Sequence, residues 1–192
     1  MRILVAGIGA LGSNLVRSLI PDLKGEHKIT ILDKDKVEER NITAGTQAYT
    51  RDQIGIPKVE ALQFNIYKWY DREIEIFNND IRKFLVGRPG QDLIIDCFDN
   101  SEARAILQRN YLDFVPLLHL GFSNNYTFTI EWAENYKTPS DLTSGFDICT
   151  LPGAAAFVSS VAALGSLVAE EFILHGKKLE ITGGKYIHSL IK

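Results

Sequence analysis

The chain has 192 residues, of which 45% are hydrophobic and 23% are charged. This size and composition predict one globular domain, residues 1–192, with a full core, and exclude a disordered polypeptide. The formal net charge of −3 provides no basic surface field, so we expect neither nucleic acid nor an acidic membrane surface as a partner.

Targeting and membrane signals are weak. The first apolar run is too short for a signal peptide, and the most apolar stretch, residues 151–168, contains glycine, proline and serine, so no membrane-spanning helix is expected. Cys97 and Cys149 are the only cysteines, too few for a four-cysteine zinc site, and a disulfide framework is not expected. We therefore predict a cytoplasmic protein with reduced thiols.

The amino-terminal residues predict a buried strand that runs into a nucleotide-binding loop. An apolar run, residues 3–6, precedes the sequence G-I-G-A-L-G and then a helical stretch. This is GxGxxG between a strand and a helix, the context that the motif requires. Glycines at positions 7, 9 and 12 allow a tight turn and a close approach to a phosphate, which the first amides of the helix then bind. Gly7, Gly9 and Gly12 are therefore predicted to bind a nucleotide, either ATP or NAD.

Strands and helices alternate through the first two thirds of the chain. Strands are predicted at residues 2–6, 28–32, 73–77, 92–97 and 115–120, and helices at residues 10–20, 58–70 and 101–112. The alternation predicts an α/β fold, a Rossmann-like and mostly parallel sheet with helices on both faces. Asn100 or Ser101 is the expected cap of the third helix.

The last third has a different pattern. Residues 126–132 alternate like an antiparallel strand, and residues 133–150 predict a loop. Residues 154–175 predict a long apolar helix that is buried by the sheet and by a second element. Residues 179–181 and 186–190 predict a terminal hairpin around Gly183 and Gly184.

One long segment interrupts the alternation. Residues 33–57 contain no clear element, and connections in a doubly wound sheet are usually much shorter, so the segment is either functional or hides an element. Asp33 begins it and follows the glycine loop by about twenty residues, where a carboxylate accepts hydrogen bonds from ribose hydroxyls.

Four short motifs, in one order, resemble the ThiF/MoeB/ubiquitin-activating enzyme superfamily. Residues 33–41 resemble its D-x-D-x-V-x-x-x-N segment, and residues 55–58 resemble its G-x-P-K. Residues 96–104 resemble its D-C-x-D-N-x-x-x-R, and Gly12 with Ser13 fits the G-S that ends its loop. The long apolar helix also stands where this superfamily has one. Each motif is weak alone, but the set is specific.

The resemblance implies ATP- and magnesium-dependent adenylation of the C-terminal carboxylate of a ubiquitin-like or sulfur-carrier protein. It implies that Lys58 faces the phosphates, that Asp99 holds magnesium, and that Asn41 hydrogen-bonds a phosphate or the ribose. Asp33 would fix the ribose, and Asp35 would orient the same loop. No general base is needed, because the partner's carboxylate is ionised at neutral pH.

The sequence departs from the superfamily at one cation. Members carry an N-L-x-R-Q-like run whose arginine reaches the neighbouring subunit's nucleotide, whereas Ala44 stands at that place here. Arg40 or Arg51 could replace the charge, another subunit could supply it, or the chain binds nucleotide without turnover. The CxxC pairs that hold zinc in many relatives are also absent from the sequence.

Four further residues have chemistry that the motifs do not assign. Cys97 is expected to be a buried core thiol. Cys149 is either a packing cysteine or, through the positive end of the following helix, a thioester-forming nucleophile. Arg104 is expected to form a structural ion pair. His119 either lies in the core or faces the site.

Three functions stay open. The chain is an ATP-dependent adenylating enzyme, or a catalytically weak or inactive subunit that binds nucleotide and dimerises with an active partner. The third is an NAD-dependent oxidoreductase, which rests on the glycine loop and Asp33 alone. The resemblance also implies a homodimer or heterodimer. The partner protein and the pathway are not visible in the sequence.

Overall fold

The computed structural model describes residues 1–23, 25–84, 90–137, 148–150 and 152–184. The strands in these ranges are β1 (Arg2–Ala6), β2 (Lys28–Asp33), β3 (Glu75–Asn78), β4 (Leu93–Asp96), β5 (Leu117–Phe122), β6 (Phe128–Trp132) and β7 (Ile181–Gly183). The helices are α1 (Ala10–Leu19), α2 (Glu39–Thr43), α3 (Lys58–Tyr70), α4 (Ile81–Phe84), α5 (Ser101–Tyr111) and α6 (Ala154–His175). Short 3₁₀ turns occur at Arg51–Gln53 and Ile148–Thr150.

The strands form one mixed sheet in the order β3-β2-β1-β4-β5-β6-β7. The first five in this order are parallel, and β6 and β7 are antiparallel at one edge. The central strands β1 and β4 are buried on both faces, which is why their sequences are continuous apolar runs. The predicted Rossmann-like α/β fold is confirmed.

The strand order reverses between β1 and β4. From β1 the chain moves outward to β2 and β3, then returns to the other side of β1. Ala6 at the end of β1 is in register with Leu32 of β2 and with Asp96 of β4. Because these strands are parallel, the loops that follow all three leave the same edge of the sheet. In open α/β sheets this reversal point is where ligands bind.

Two apolar cores fill the two faces of the sheet. Helices α1, α3 and α6 supply the core on one face, and α4 and α5 supply the core on the other. Gly165 lets α6 lie close, since a Cβ there would meet Leu120 Cδ2 at 2.3 Å and Leu15 Cδ1 at 3.2 Å. By length and composition α6 alone among the described helices could cross a membrane. The same composition is expected of a helix that is packed in a core.

The structure differs from the prediction in detail at several elements. The helix predicted at residues 10–20 ends at Leu19, and the strands predicted at residues 73–77 and 115–120 lie at Glu75–Asn78 and Leu117–Phe122. Helices α2 and α4 were not predicted, because five and four residues are too few to show a helical period.

The predicted terminal hairpin is corrected. The first arm lies at Ile181–Gly183 rather than at residues 179–181 and pairs with β6, so Gly183 is the last residue of a strand and not part of a turn. The predicted second arm, residues 186–190, lies outside the described residues.

Candidate active site

A cleft of about 870 Å³ lies at the reversal point. Its walls come from the loops after β1, β2, β3 and β4, from α2, and from β5 and β6 across the cleft. Seven of the eight predicted site residues line it, namely Gly7, Gly9, Asp33, Asp35, Asn41, Lys58 and Asp99. The exception is Gly12, which lies behind the loop.

The three glycines of the loop are required for different structural reasons. Gly7 has a φ of +86°, a conformation that favours glycine. A Cβ on Gly12 would lie 1.9 Å from the Gly7 carbonyl oxygen, so only glycine fits there. A Cβ on Gly9 would meet no atom within 4 Å. Gly9 therefore faces the open cleft, and no side chain caps the first amides of α1, which are left to bind an anion.

The glycine loop is held at Ile8 from both sides. The Ile8 N–H donates to Asp33 Oδ2 at 2.7 Å, and the Ile8 carbonyl accepts from the Tyr49 hydroxyl at 2.6 Å. Burial raises the pKa of Tyr49 well above its ordinary value, so the hydroxyl remains a donor. Tyr49 was not predicted, because its contact joins residues 41 positions apart and leaves no local pattern in the sequence.

Asp33 is committed to the loops as well as to the cleft. It is 7% exposed, and its second carboxylate oxygen accepts the N–H of Asp35 at 2.9 Å. Burial raises the pKa of Asp33, and the nearby Lys58 charge partly opposes that shift. Each carboxylate oxygen has a second lone pair and can accept a further hydrogen bond. The hydrogen bonds from ribose stay a prediction.

Lys58 is a buried cation at the first residue of α3. Lys58 is 8% exposed, and its Nζ lies 3.6 Å from Asp35 Oδ2. The Lys58 N–H also donates to the Asp35 carbonyl at 2.9 Å. An isolated β-bridge between Lys36 and Pro57 brings the two ends of the long segment together. The lysine thus lies at the cleft with the Asp35 carboxylate as its ion-pair partner.

The long segment brings Asn41 and Arg40 to the cleft on α2. Asn41 is 4% exposed, and its Oδ1 accepts the Glu38 N–H at 2.8 Å, which leaves the amide hydrogens to reach a ligand. Arg40 Nε lies 2.5 Å from a Glu38 carboxylate oxygen. Arg51 instead pairs with Glu39 at 3.6 Å and is not among the residues that line the cleft. Of the two predicted substitutes for the missing arginine, Arg40 is therefore the one at the site.

Asp99 is an exposed carboxylate at the end of the loop after β4. Within the described part of the chain it has no hydrogen-bond or ion-pair partner, and it borders the cleft. No cluster of three or more His, Cys, Asp or Glu suited to a metal occurs among the described residues. Magnesium commonly binds one or two carboxylates together with phosphates and water, so a single free carboxylate beside a phosphate site fits that ion.

Among the residues that the structure describes, the charges around the cleft balance. Six of those that line it are cationic, Lys34, Arg40, Lys58, Arg82, Arg104 and Lys137. Six acidic residues also line it, Asp33, Asp35, Asp80, Asp99, Glu102 and Glu131. The side chains therefore supply little net charge against a triphosphate, and an added cation would have to provide the rest. Lys34 and Arg82 were not predicted here; Asp80 holds them at 3.5 Å and 2.7 Å.

Arg104 and His119 are structural, as one reading of each predicted. Arg104 donates hydrogen bonds to the carbonyls of Phe98 and Leu120 and to the Tyr136 hydroxyl, each at 2.7 Å. None of these partners is an acid, so these bonds do not form the expected ion pair. His119 is fully buried, with Nδ1 2.7 Å from Asp96 Oδ2, and it is not among the residues that line the cleft.

The two cysteines occupy different environments. Cys97 is buried, and burial raises the pKa of its thiol far above the ordinary value, as expected for a core cysteine. Cys149 lines the cleft, and its Sγ lies 3.3 Å from Thr46 Oγ1. It belongs to the separate Ile148–Thr150 turn, and α6 begins only at Ala154. The structure therefore does not place Cys149 in the first turn of the apolar helix, and its thioester role stays a prediction.

A curated protein is similar to almost the whole chain. The chain is 28% identical over 204 residues to ubiquitin-like modifier-activating enzyme 5 of Caenorhabditis elegans, covering 94% of this chain and 48% of that relative. The chain thus spans about half the length of this curated relative.

Solved structures share the fold. E. coli MccB, in a crystal structure with ATP, has a TM-score of 0.68 at 18% identity, covering 95% of this chain and 62% of that chain. E. coli tRNA N6-threonylcarbamoyladenosine dehydratase, TcdA, has a TM-score of 0.62 at 18% identity, covering 92% and 88%. The sequence profile of the ThiF family matches residues 1–175. The chain therefore belongs to the ThiF family.

Proposed function

We propose that this chain uses ATP and magnesium to adenylate the C-terminal carboxylate of a ubiquitin-like or sulfur-carrier protein. One observation carries the proposal. Lys58 from α3 and Asp99 from the loop after β4 border the same cleft as Gly9 and the open end of α1. A cation, a candidate metal ligand and a phosphate-binding helix end therefore meet at one place, which is what a reaction between two anions requires.

The reaction joins a carboxylate to the α-phosphorus of ATP. A carboxylate oxygen attacks that phosphorus and forms a new phosphorus–oxygen bond. The bond from the α-phosphorus to the oxygen that bridges to the β-phosphorus breaks, and its electron pair leaves with pyrophosphate. No proton moves, because the carboxylate is already ionised at neutral pH. The protein therefore contributes positioning and electrostatic stabilisation.

The side chains of the cleft have distinct roles in this proposal. The first amides of α1 bind phosphate oxygens beside Gly9. The Lys58 ammonium exchanges its Asp35 partner, now 3.6 Å away, for a phosphate oxygen. The Asn41 amide donates to a phosphate or the ribose, and Asp33 accepts from the ribose. Asp99 would hold magnesium, which when bound neutralises charge on the phosphate oxygens.

A second candidate function rests on Ala44. If nothing replaces the missing arginine, the chain is a weak or inactive subunit that binds nucleotide beside an active partner. Arg40 argues for activity, because it lines this chain's own cleft and would supply, within one subunit, the charge that the superfamily's arginine brings from a neighbouring one. Arg40→Ala is expected to lower the reaction rate by about 10- to 100-fold. Arg51→Ala is the matched control, since Arg51 pairs with Glu39 outside the cleft, and it is expected to leave the rate unchanged.

The relatives support the substrate class and the nucleotide. One is named a ubiquitin-like modifier-activating enzyme, and one solved structure contains MccB with ATP. We also propose a dimer, with itself or with a related subunit, because α6 leaves Leu167 and Leu174 56% and 49% exposed. A cytoplasmic location without nucleic-acid or membrane partners completes the proposal.

ATP–pyrophosphate exchange tests the proposal. Purified chain is incubated with ATP, magnesium and a candidate carrier protein, with a carrier that lacks its last residue as the substrate control. Exchange is expected only with the intact carrier, and Lys58→Met is expected to lower it by about 100-fold or more. Lys68→Met, on the exposed side of the same helix, is the matched control.

Two outcomes contradict this proposal in different ways. ATP binding without exchange for any carrier favours the inactive subunit. A preference for NAD over ATP in the same binding assay favours the oxidoreductase.

A further inference from the structure

A buried polar network lies beneath the loop that carries Asp99. Its members are Asp96 at the end of β4, Arg104 in α5, His119 in β5 and Tyr136 after β6. Their exposed fractions are 0%, 7%, 0% and 7%. Buried charged and polar groups are destabilising unless hydrogen bonds satisfy them. The partners of the hydrogen bonds in this network therefore show which part of the backbone it holds in place.

The network forms hydrogen bonds with the loop at the backbone of Phe98. The Phe98 N–H donates to Asp96 Oδ1 at 2.9 Å, and the Phe98 carbonyl accepts from Arg104 Nε at 2.7 Å. On the other side of Asp99, the Asn100 side chain accepts the Ala103 N–H at 2.8 Å and caps α5. The backbone of Asp99 thus lies between two fixed points, although its side chain is exposed.

The two residues that bind the Phe98 backbone, Asp96 and Arg104, are also connected to each other through the rest of the network. Asp96 Oδ2 lies 2.7 Å from His119 Nδ1, and Arg104 donates to the Tyr136 hydroxyl at 2.7 Å. The His119 and Tyr136 rings stack with centroids 3.9 Å apart. Asp96 and Arg104 are therefore fixed through a continuous chain of contacts across β4, α5, β5 and the segment after β6.

We propose that this network positions Asp99 for the magnesium nucleotide. His119 and Arg104 act as positioning residues, because they reach the ligand site through the Phe98 backbone. A loop that is already ordered loses less conformational freedom when the metal and nucleotide bind, so affinity is higher. The inference rests on the proposed function, and in particular on the role of Asp99.

Substitutions of His119 test the inference. In His119→Asn the side-chain amide can still donate to Asp96, whereas His119→Leu leaves Asp96 without that partner. The quantity measured is the ratio of the ATP dissociation constants without and with magnesium, obtained by calorimetry. His119→Leu is expected to reduce this ratio by about tenfold, and His119→Asn is expected to restore most of it. Both variants should bind ATP without magnesium as the wild type does.

Two further variants complete the design. Arg109→Gln, on the exposed side of α5, is the matched control and should leave the ratio unchanged. Tyr136→Phe keeps the ring stack and removes one hydroxyl, so it provides the test if His119→Leu does not fold. A reduction of about fivefold is expected, the effect of one hydrogen bond.

The outcomes separate this inference from the proposed function. If magnesium does not raise the ATP affinity of the wild type, the proposed role of Asp99 fails. If magnesium raises it equally in the wild type, His119→Leu and Tyr136→Phe, the positioning inference alone is overturned. Loss of the magnesium effect in both His119 variants would also overturn it, because the retained hydrogen bond should rescue the effect.

Discussion

Two aspartates border the same cleft, one at the end of β2 and one in the loop after β4, and their environments are opposite. Asp33, at the end of β2, is 7% exposed, and both its oxygens accept backbone N–H groups. Asp99, after β4, is exposed and has no hydrogen-bond partner within the described residues. One carboxylate holds the loops of the fold together, and the other is left free for a ligand.

This difference divides the cleft into two sides. On the built side, formed by the loops after β1 and β2, the carboxylate is used within the fold, and on the open side, formed by the loop after β4, the carboxylate is free. On the β1–β2 side, Ile8, Asp33 and Tyr49 fix the glycine loop before any ligand arrives. On the β4 side, the network fixes only the backbone around Asp99 and leaves its carboxylate available. Substitutions that disturb the contacts fixing the glycine loop should therefore change both stability and nucleotide binding. Substitutions of Asp99 should change only the use of the metal.

Gly12→Ala should have the largest effect. The new Cβ would lie 1.9 Å from the Gly7 carbonyl oxygen, and neither backbone can move aside without opening the loop. We expect the free energy of unfolding to fall by about 3 kcal/mol and ATP binding to be lost. Urea denaturation measures the first effect and calorimetry the second. A stable variant that binds ATP normally would show that the loop is not fixed as described.

Asp99→Asn should strongly reduce turnover without a change in stability. The amide is the same size but carries no charge to hold magnesium, so pyrophosphate exchange should fall by about 100-fold. The midpoint of urea denaturation should stay at the wild-type value, because Asp99 makes no contact that stabilises the described fold. Exchange at the wild-type rate would remove Asp99 from the site.

Gly9→Ala should weaken nucleotide binding alone. No atom lies within 4 Å of the added Cβ, so the unfolding free energy should stay within about 1 kcal/mol of the wild-type value. The methyl group would occupy the space that a phosphate approaches, and we expect the dissociation constant for ATP to rise about tenfold. An unchanged dissociation constant would place the phosphates elsewhere.

The smallest effect concerns the protonation of Asp33. Burial raises its pKa, so it becomes protonated at a higher pH than an exposed aspartate. A protonated carboxyl is a poorer acceptor for ribose, and ATP affinity should therefore fall as the pH is lowered through this raised pKa. The contribution of Asp33 to the free energy of unfolding changes in the opposite direction and increases as the pH is lowered. The folded state binds the proton more tightly than the unfolded state, so the destabilising effect of the ionised Asp33 is relieved at low pH.

Asp33→Asn provides the comparison for this pH effect. The variant cannot titrate, so the pH dependence of its ATP affinity should lack the component that Asp33 adds. Its affinity and its stability should both be lower than those of the wild type at neutral pH, because the amide NH2 replaces one of the two oxygens that accept the Ile8 and Asp35 N–H groups. Calorimetric titrations of both proteins over the same pH range measure that component as a difference. Identical pH profiles would show that Asp33 does not contact the ribose.

The sequence predicts the central strands and the loops that follow them well because their signals are local. Apolar runs mark β1 and β4, and the glycine loop lies in the context it needs. The motifs around Asp33 and Asp99 follow the ends of β2 and β4, and parallel strands bring such ends to one edge. The motif around Lys58 instead marks the start of α3. The reversal of strand order then places them together.

The missed features depend on contacts between distant residues. Tyr49 reaches Ile8 across 41 positions, and the Asp96–His119 pair spans 23. The pairing of β7 with β6 and the place of Arg82 at the cleft are likewise set by packing. No periodicity or short motif marks such contacts, so a single sequence cannot reveal them.

The most direct test of the account is the fate of the α-phosphate of ATP. The chain is incubated with magnesium, ATP labelled at the α-phosphate and an intact candidate carrier protein, and the carrier is then analysed by mass spectrometry. The account predicts AMP attached to the carrier's C-terminal carboxylate, formed by the wild type and by Lys68→Met but not by Lys58→Met. An unmodified carrier beside a chain that binds ATP tightly, or adenylation that persists without Lys58, would contradict it.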